Sequence, residues 1–255
     1  MENPYQAPGN TQPGTTIRTY RDAGNLTFLV GLSLAGGALA SIASIAAGLR
    51  QQQTFAQAQA DGFTLDEAYA ELGLEYFAII VGQLGLLLAS YVIIAMWIHR
   101  VASNTRCLVG PRYMDYTPAW AVGWYFIPIA NLWKPYQAMK QVWTLNFARH
   151  PATPADAGLL LPLWWFLWLG WNIISNVAGR MSWRATTFEQ EAAATIASVA
   201  SDAANIPLCV VFFLITRRLH AAQQARSLAP RTPTLSIFPD RGPSPAPLTS
   251  GPSND

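Results

Sequence analysis

The stretch Val122–Trp143, VGWYFIPIANLWKPYQAMKQVW, decides how this chain is read. It is apolar enough for a bilayer, yet Pro128 and Pro135 interrupt it, Asn131 lies between them, and its last third turns basic and amphipathic. A proline lacks an N–H and clashes with the preceding turn, so a helix through Trp120–Trp124 is predicted to end or kink at Pro128. A second helix is expected to begin near Pro135, a residue tolerated in a first turn. From there Tyr136, Met139, Val142, Trp143 and Phe147 recur on one face, with Lys134, Gln137, Lys140, Gln141 and Thr144 on the other. That is the pattern of an interfacial amphipathic helix. The apolar part, Trp120 to Trp133, is only 14 residues long. A crossing needs about 20, so residues 118–149 read as a broken re-entrant or interfacial hairpin. Broken backbone at membrane depth survives only where protein or a wet cavity covers it.

Four segments around this hairpin have membrane length: about 25–48, 76–98, 158–178 and 192–216, the last carrying Asp202. The expected fold is therefore an all-α membrane protein with four transmembrane helices and the hairpin between spans two and three. Lys and Arg collect on the cytoplasmic side of bilayers. With both ends inside, 13 basic residues fall inside and 3 outside, the 3 being Arg50, Arg180 and Arg184. The hairpin must then start and finish on the cytoplasmic side. The acidic loop Gln51–Glu75 fits the outer side. Both chain ends are thus expected in the cytoplasm.

Composition agrees: 51% of residues are hydrophobic and 12% charged, with a net charge of +2. Charged residues usually make up about a quarter of a soluble chain. No basic stripe with interleaved aromatics suggests nucleic acid, and Cys107 and Cys209 match no metal or redox spacing. Residues 1–24 and 227–255 are polar, rich in Pro or Ser, and expected to be disordered cytoplasmic ends. No cleavable signal peptide is expected.

The run Trp120-Ala-Val-Gly-Trp-Tyr-Phe-Ile-Pro-Ile-Ala-Asn-Leu-Trp-Lys-Pro-Tyr-Gln-Ala-Met resembles the signature of bacterial membrane proteins grouped as domain of unknown function 4328. The segment IHRVASNTRCL, with Arg100 and Asn104, is similar to the basic stretch after that family's second span; His99 stands where an aromatic is expected. The resemblance covers roughly residues 77–226 and implies a multi-pass bacterial membrane protein, hence a bacterial cytoplasmic (inner) membrane. It carries over no activity and no catalytic residue.

Two sets of residues remain as candidate sites. The docking set is Arg100, Asn104, Trp120, Trp124, Pro128, Asn131, Lys134, Pro135 and Trp143. Its basic members suit anionic lipid headgroups or plain positive-inside anchoring. The intramembrane polar set is Asn172, Asn176, Asp202 and Asn205. A carboxylate within a span is costly and marks a functional candidate. Asp202 is expected to bind a cation or proton or to bond Asn172 or Asn176; if the helix protrudes, it is simply wet. Small residues at Gly36, Ala40, Ser44 and Gly48 suggest close helix packing, with Gly82, Gln83 and Gly85 of span two as the partner surface. The exits IHRVASNTR and ITRRLHAAQQAR look weakly alike.

No nucleophile elbow, HExxH or P-loop is present, and no second carboxylate accompanies Asp202. The expectation is a non-enzymatic membrane scaffold or regulatory subunit without a cofactor. It would bind the bilayer, anionic lipid, a membrane protein or another copy of itself. The alternative is a small transporter or channel around Asp202. An intramembrane enzyme is the weakest option, since Asp202 has no acid–base partner.

Overall fold

The computed structural model describes residues 19–71, 73–148 and 158–229. Most of the two expected tails lies outside the described residues, as does Arg149. All described elements are helical: α1 (Gly24–Ala60), α2 (Leu65–Glu71), α3 (Gly73–Val109), α4 (Pro118–Gly123), α5 (Lys134–Phe147), α6 (Leu160–Arg184) and α7 (Phe188–Leu228). Four of them, α1, α3, α6 and α7, are long and apolar enough to cross a membrane. This is an all-α, four-span membrane protein with a broken helical hairpin, α4–α5, between spans two and three.

The long helices outrun their apolar stretches. At 1.5 Å per residue, the 37 residues of α1 and the 41 of α7 extend well beyond a bilayer core of about 30 Å. The sequence after Gly48 is rich in Gln and Ala with no breaker, so the helix continues to Ala60. Gly62 then stops it at φ +83°, and Phe63 N–H reaches back to the Ala58 carbonyl at 3.0 Å. A left-handed glycine after a helix end and this backward bond close the last turn. Much of the loop expected over 51–75 is therefore helix. Thr64 next caps α2: Glu67 N–H bonds the Thr64 hydroxyl oxygen at 3.4 Å, and Thr64 N–H bonds the Glu67 carboxylate at 2.7 Å. This reciprocal cap seats Leu65 and Ala68 on Phe55 and Ala58 of α1.

The two Thr64 hydrogen bonds hold the Glu67 carboxyl below the usual glutamate range. A depressed folded value means the cap's contribution is complete above the unfolded glutamate pKa of about 4.3 and fades as pH falls below it. The protection of α2 amides, measured relative to their intrinsic exchange rates, is expected to fall on acidification through that window. In Glu67→Gln this pH dependence disappears.

The helices form a row rather than a closed bundle. α6 packs on α7, α7 on α1, and α1 on α3. The α1–α7 contact is close because α1 brings glycines to it. A Cβ at Gly31 would lie 3.0 Å from the Phe213 ring, and one at Gly48 would lie 3.3 Å from both Thr195 and Val199. The expected partner surface at Gly82 and Gly85 is not used: no neighbour lies within 4 Å of a Cβ built at either. The small stripe of α1 serves mainly α7, whose Ala-rich first half allows the approach. Gly48→Ile is expected to overpack this seam and cost about 1–3 kcal/mol. Thermal unfolding in nanodiscs checks it, with Gly82→Ile as the near-neutral control.

α3 and α6 stand at the two ends of the row. The α4–α5 hairpin bridges them at the end of the molecule where the chain enters α1 and leaves α7. We call this the terminal end. Toward the other end nothing among the described residues bridges them, and from Ile79 to Met96 most of the large apolar side chains of α3 are exposed. Exposed apolar surface on this scale belongs in lipid. The core lies at the terminal end, where Trp97, Val101, Met139, Val142, Trp164 and Phe212 pack together.

Candidate functional site

The hairpin is built as its prolines dictate. Thr117 caps α4, accepting Trp120 N–H at 3.2 Å, with Pro118 in the first turn. The helix decays into a 3-10 turn over Trp124–Phe126 and has ended before Pro128, which is exposed at the tip. A second 3-10 turn, Ala130–Leu132, leads into α5. Pro135 sits in that helix's first turn and is fully buried, lining a small cavity with Ile98, Val101 and Tyr125. The apolar face of α5 is turned inward onto α3, α6 and α7, not toward surrounding lipid. Met139, Val142 and Trp143 are buried, whereas Phe147 is partly exposed.

Polar contacts fix the hairpin's outer face. Tyr116 donates to Gln137 at 2.9 Å, and Gln141 donates to the Asp115 carboxylate at 2.8 Å. The Trp120 and Trp124 rings lie 4.6 Å apart, and the Lys134 ammonium sits 5.6 Å above Trp124 and 5.7 Å above Tyr116. Inside, aromatic rings join the hairpin to α6, Tyr136 to Trp165 at 5.9 Å and Tyr125 to Trp168 at 6.0 Å, and join the spans to one another, Trp164 to Phe212 at 5.6 Å and Trp97 to Phe212 at 5.8 Å. The tip is the opposite. Phe126 is 79% exposed, and Ile129, Leu132 and Trp133 are exposed as well.

A buried amide network latches the terminal end. The Asn104 side chain pairs with the backbone of Arg21, accepting its N–H at 3.2 Å and donating to its carbonyl at 2.8 Å. Its other N–H reaches the Gln223 oxygen at 3.3 Å. Gln223 donates to the Val101 carbonyl at 2.9 Å and the Thr105 hydroxyl at 3.1 Å. Asn146 of α5 donates to the same hydroxyl at 2.7 Å. Buried polar groups are tolerable only when bonded in this way. Arg226 completes the latch by donating to the Leu145 and Ala148 carbonyls at the end of α5. A cation there meets both unpaired carbonyls and the negative helix end. Burial lowers the Arg226 pKa. Arg100, one turn before Asn104, is half-buried and takes no part in this network.

The intramembrane polar set is split in two. Asp202 and Asn205 face α1: Ser41 donates to the Asp202 carboxylate at 3.1 Å, Ser44 bonds it as well, and Asn205 donates to Ser41 at 3.0 Å. This polar clasp interrupts the glycine seam. Asn172 and Asn176 do not join it. Each donates to the carbonyl four residues back on α6, Trp168 and Asn172 respectively, at 2.8 Å. The phase between helices, invisible in one helix's periodicity, sends them to another face. Asp202→Leu strands two hydroxyls and is expected to cost about 1–2 kcal/mol. Asp202→Asn keeps an acceptor and is expected to cost less. Thermal melts of both variants in nanodiscs check the order.

Asn172 and Asn176 line an open cleft of about 340 Å³ between α6 and the hairpin tip, together with Asn131, Leu132, Trp168 and Arg180. The Asn131 side-chain oxygen is buried and has no partner among the described residues. Tyr125, just before the tip, meets the Trp168 ring, so the hairpin reaches at least to the level of Trp168, well inside α6. Eight residues separate this level from the helix start at Leu160, about 12 Å at the helical rise.

The family model described as Domain of unknown function (DUF4328) matches residues 64–221. The chain belongs to this family. No curated protein and no solved structure matches it. The DUF4328 match runs from the start of α2 into α7, so it contains the hairpin, the cleft, Asn104, Thr105 and Asn146. It leaves out α1 with Ser41 and Ser44, and also Gln223 and Arg226. Among the described residues, no group of three His, Cys, Asp or Glu side chains could hold a metal ion.

Of the docking candidates, Trp120, Trp124, Pro128, Asn131, Lys134 and Pro135 build the hairpin, Trp143 anchors α5, and Asn104 belongs to the latch. Sequence reasoning missed Thr105, Asn146, Gln223 and Arg226. A weak signal existed. The two alike exits, IHRVASNTR and ITRRLHAAQQAR, each carry an amide near their ends, and these amides, Asn104 and Gln223, prove to bond each other.

Proposed function

We propose that this protein is a non-enzymatic membrane scaffold or regulatory subunit whose hairpin-and-cleft face holds a lipid or a membrane protein. We place it in a bacterial cytoplasmic membrane with both termini in the cytoplasm. The observation that carries the reading is a hairpin anchored firmly on its inner side whose apolar tip nevertheless stays uncovered. A preformed surface binds at lower ordering cost than a flexible one. The excess of Lys and Arg at the terminal end supports the orientation.

Transport is the second reading, favoured by the Asp202 carboxylate between α1 and α7. The hydrogen bonds from Ser41 and Ser44 weigh toward a structural clasp. The separate position of Asn172 and Asn176 removes two members of a shared path.

Extraction into native nanodiscs followed by mass spectrometry tests the scaffold reading. Wild type is expected to retain a stoichiometric protein or a selected lipid. The double variant Phe126→Ser, Ile129→Ser is expected to lose it. A protein that carries only bulk lipid contradicts the reading. Solute flux in proteoliposomes that disappears in Asp202→Ala would favour transport instead.

A further inference from the structure

We propose that the cleft between the hairpin tip and α6 seats one anionic phospholipid from the leaflet opposite the terminal end. Arg180 takes its phosphate, and Asn176 and Asn172 take its ester region. This deepens the scaffold reading, on which it rests, by naming the occupant.

Trp168, Asn172, Asn176 and Arg180 recur at four-residue spacing along α6. Residues so spaced form one stripe on a helix. All four line the cleft, with Leu169, Ile173 and Val177 as its apolar wall. Each step along the stripe is about 6 Å. Read inward from the mouth, the stripe offers a cation, then two amides, then an aromatic and apolar surface. A phospholipid presents its parts in the same order: phosphate, ester carbonyls, acyl chains. The amides have capacity for it. Each amide nitrogen has two hydrogens, and each spends one on a backbone carbonyl of its own helix. Arg180 is exposed and has no ion-pair partner among the described residues.

Length decides between lipid and protein. From Arg180 to Trp168 is 12 residues, about 18 Å. The hairpin stands across the cleft there: Tyr125 meets the Trp168 ring at 6.0 Å, and Asn131 and Leu132 of the tip line the same cleft. A spanning helix needs about 30 Å of clear path and would run into the tip. A lipid of one leaflet fits the available half.

The test uses the full chain in nanodiscs of phosphatidylcholine with a minor share of phosphatidylglycerol. Lipids retained on gentle release are counted by native mass spectrometry. Wild type is expected to retain one phosphatidylglycerol in preference to phosphatidylcholine. Arg180→Gln is expected to lower that preference about fivefold, the effect of one basic residue near a charged headgroup. Arg180→Lys keeps most of it. Asn176→Leu weakens it with no change in net charge, whereas Arg184→Gln, outside the cleft, leaves it intact. All four variants melt with wild type, because these side chains are exposed.

No preference in wild type, or equal losses in Arg180→Gln and Arg184→Gln, would overturn the site. If a native protein partner is still captured in that case, the lipid seat falls and the scaffold reading stands. If nothing is captured, both fall.

Discussion

Gln223→Leu unlatches the terminal end of the molecule and lowers its stability by about 3 kcal/mol. Gln223 is 0% exposed. Leucine fills nearly the same volume, so the loss is one of hydrogen bonding rather than packing. Two donated bonds and one accepted bond disappear, to Val101, Thr105 and Asn104. A buried amide hydrogen on Asn104 is left without a partner, which costs more than an average bond contributes. Asn104→Ala is expected to destabilise by a similar amount, because it also releases the backbone of Arg21. The double variant is expected to fall well short of the sum, since both changes remove the same link. Unfolding curves of the three variants in one detergent or nanodisc system check this. Full additivity would mean that the network is not a unit.

Trp164→Ala is the larger packing defect, expected to cost about 3–5 kcal/mol. Trp164 is 3% exposed. Its ring stacks on Phe212 at 5.6 Å and touches Trp165 at 5.5 Å. Phe212 in turn meets Trp97, whose indole N–H donates to Thr27 at 3.1 Å. One ring therefore links α6 through α7 to α3 and α1, and its removal opens a cavity where the hairpin is seated. Hydrogen exchange in α5 is expected to rise with the loss of stability. Trp183→Ala is the matched control on the same helix: Trp183 is 92% exposed and should melt with wild type. Equal effects at the two positions would contradict the packing described here.

These two residues show where sequence reading succeeds and where it stops. The spans and the break at Pro128 were legible because length, apolar composition and proline chemistry act locally. The apolar face of α5 was legible for the same reason, since Met139, Val142 and Trp143 follow helical spacing. What that face meets was not legible. A free interfacial helix and one packed on α3, α6 and α7 have the same periodicity. Nor does helical spacing tell which tryptophans of α6 pack inward and which face lipid. Trp164 and Trp165 prove buried while Trp168 and Trp171 are half-buried, a difference set by neighbours.

Gln223 and Arg226 lie beyond the expected end of span four, where nothing in the local sequence marks them as partners of another helix. Their partners lie far away in sequence: Thr105 is 118 residues from Gln223. Asp202 was conspicuous, yet its partners were misjudged. The serines that meet it lie along the small-residue stripe of α1, where four-residue spacing points to a packing surface and not to a carboxylate partner. The cleft followed from no motif. It arises because the helices stand in a row and the hairpin closes only one end.

The depth of the hairpin tip is the most direct test of the account. A single cysteine at Ile129, with Cys107 and Cys209 replaced, carries a nitroxide in a nanodisc, and its accessibility to oxygen and to a water-soluble nickel chelate is compared. The tip stands level with the middle of α6, so Ile129 is expected to match a label at Ile173: open to oxygen and shielded from nickel. Strong nickel access, equal to that of a label at Asp115, would place the tip in water. It would contradict both the inserted hairpin and the cleft built on it.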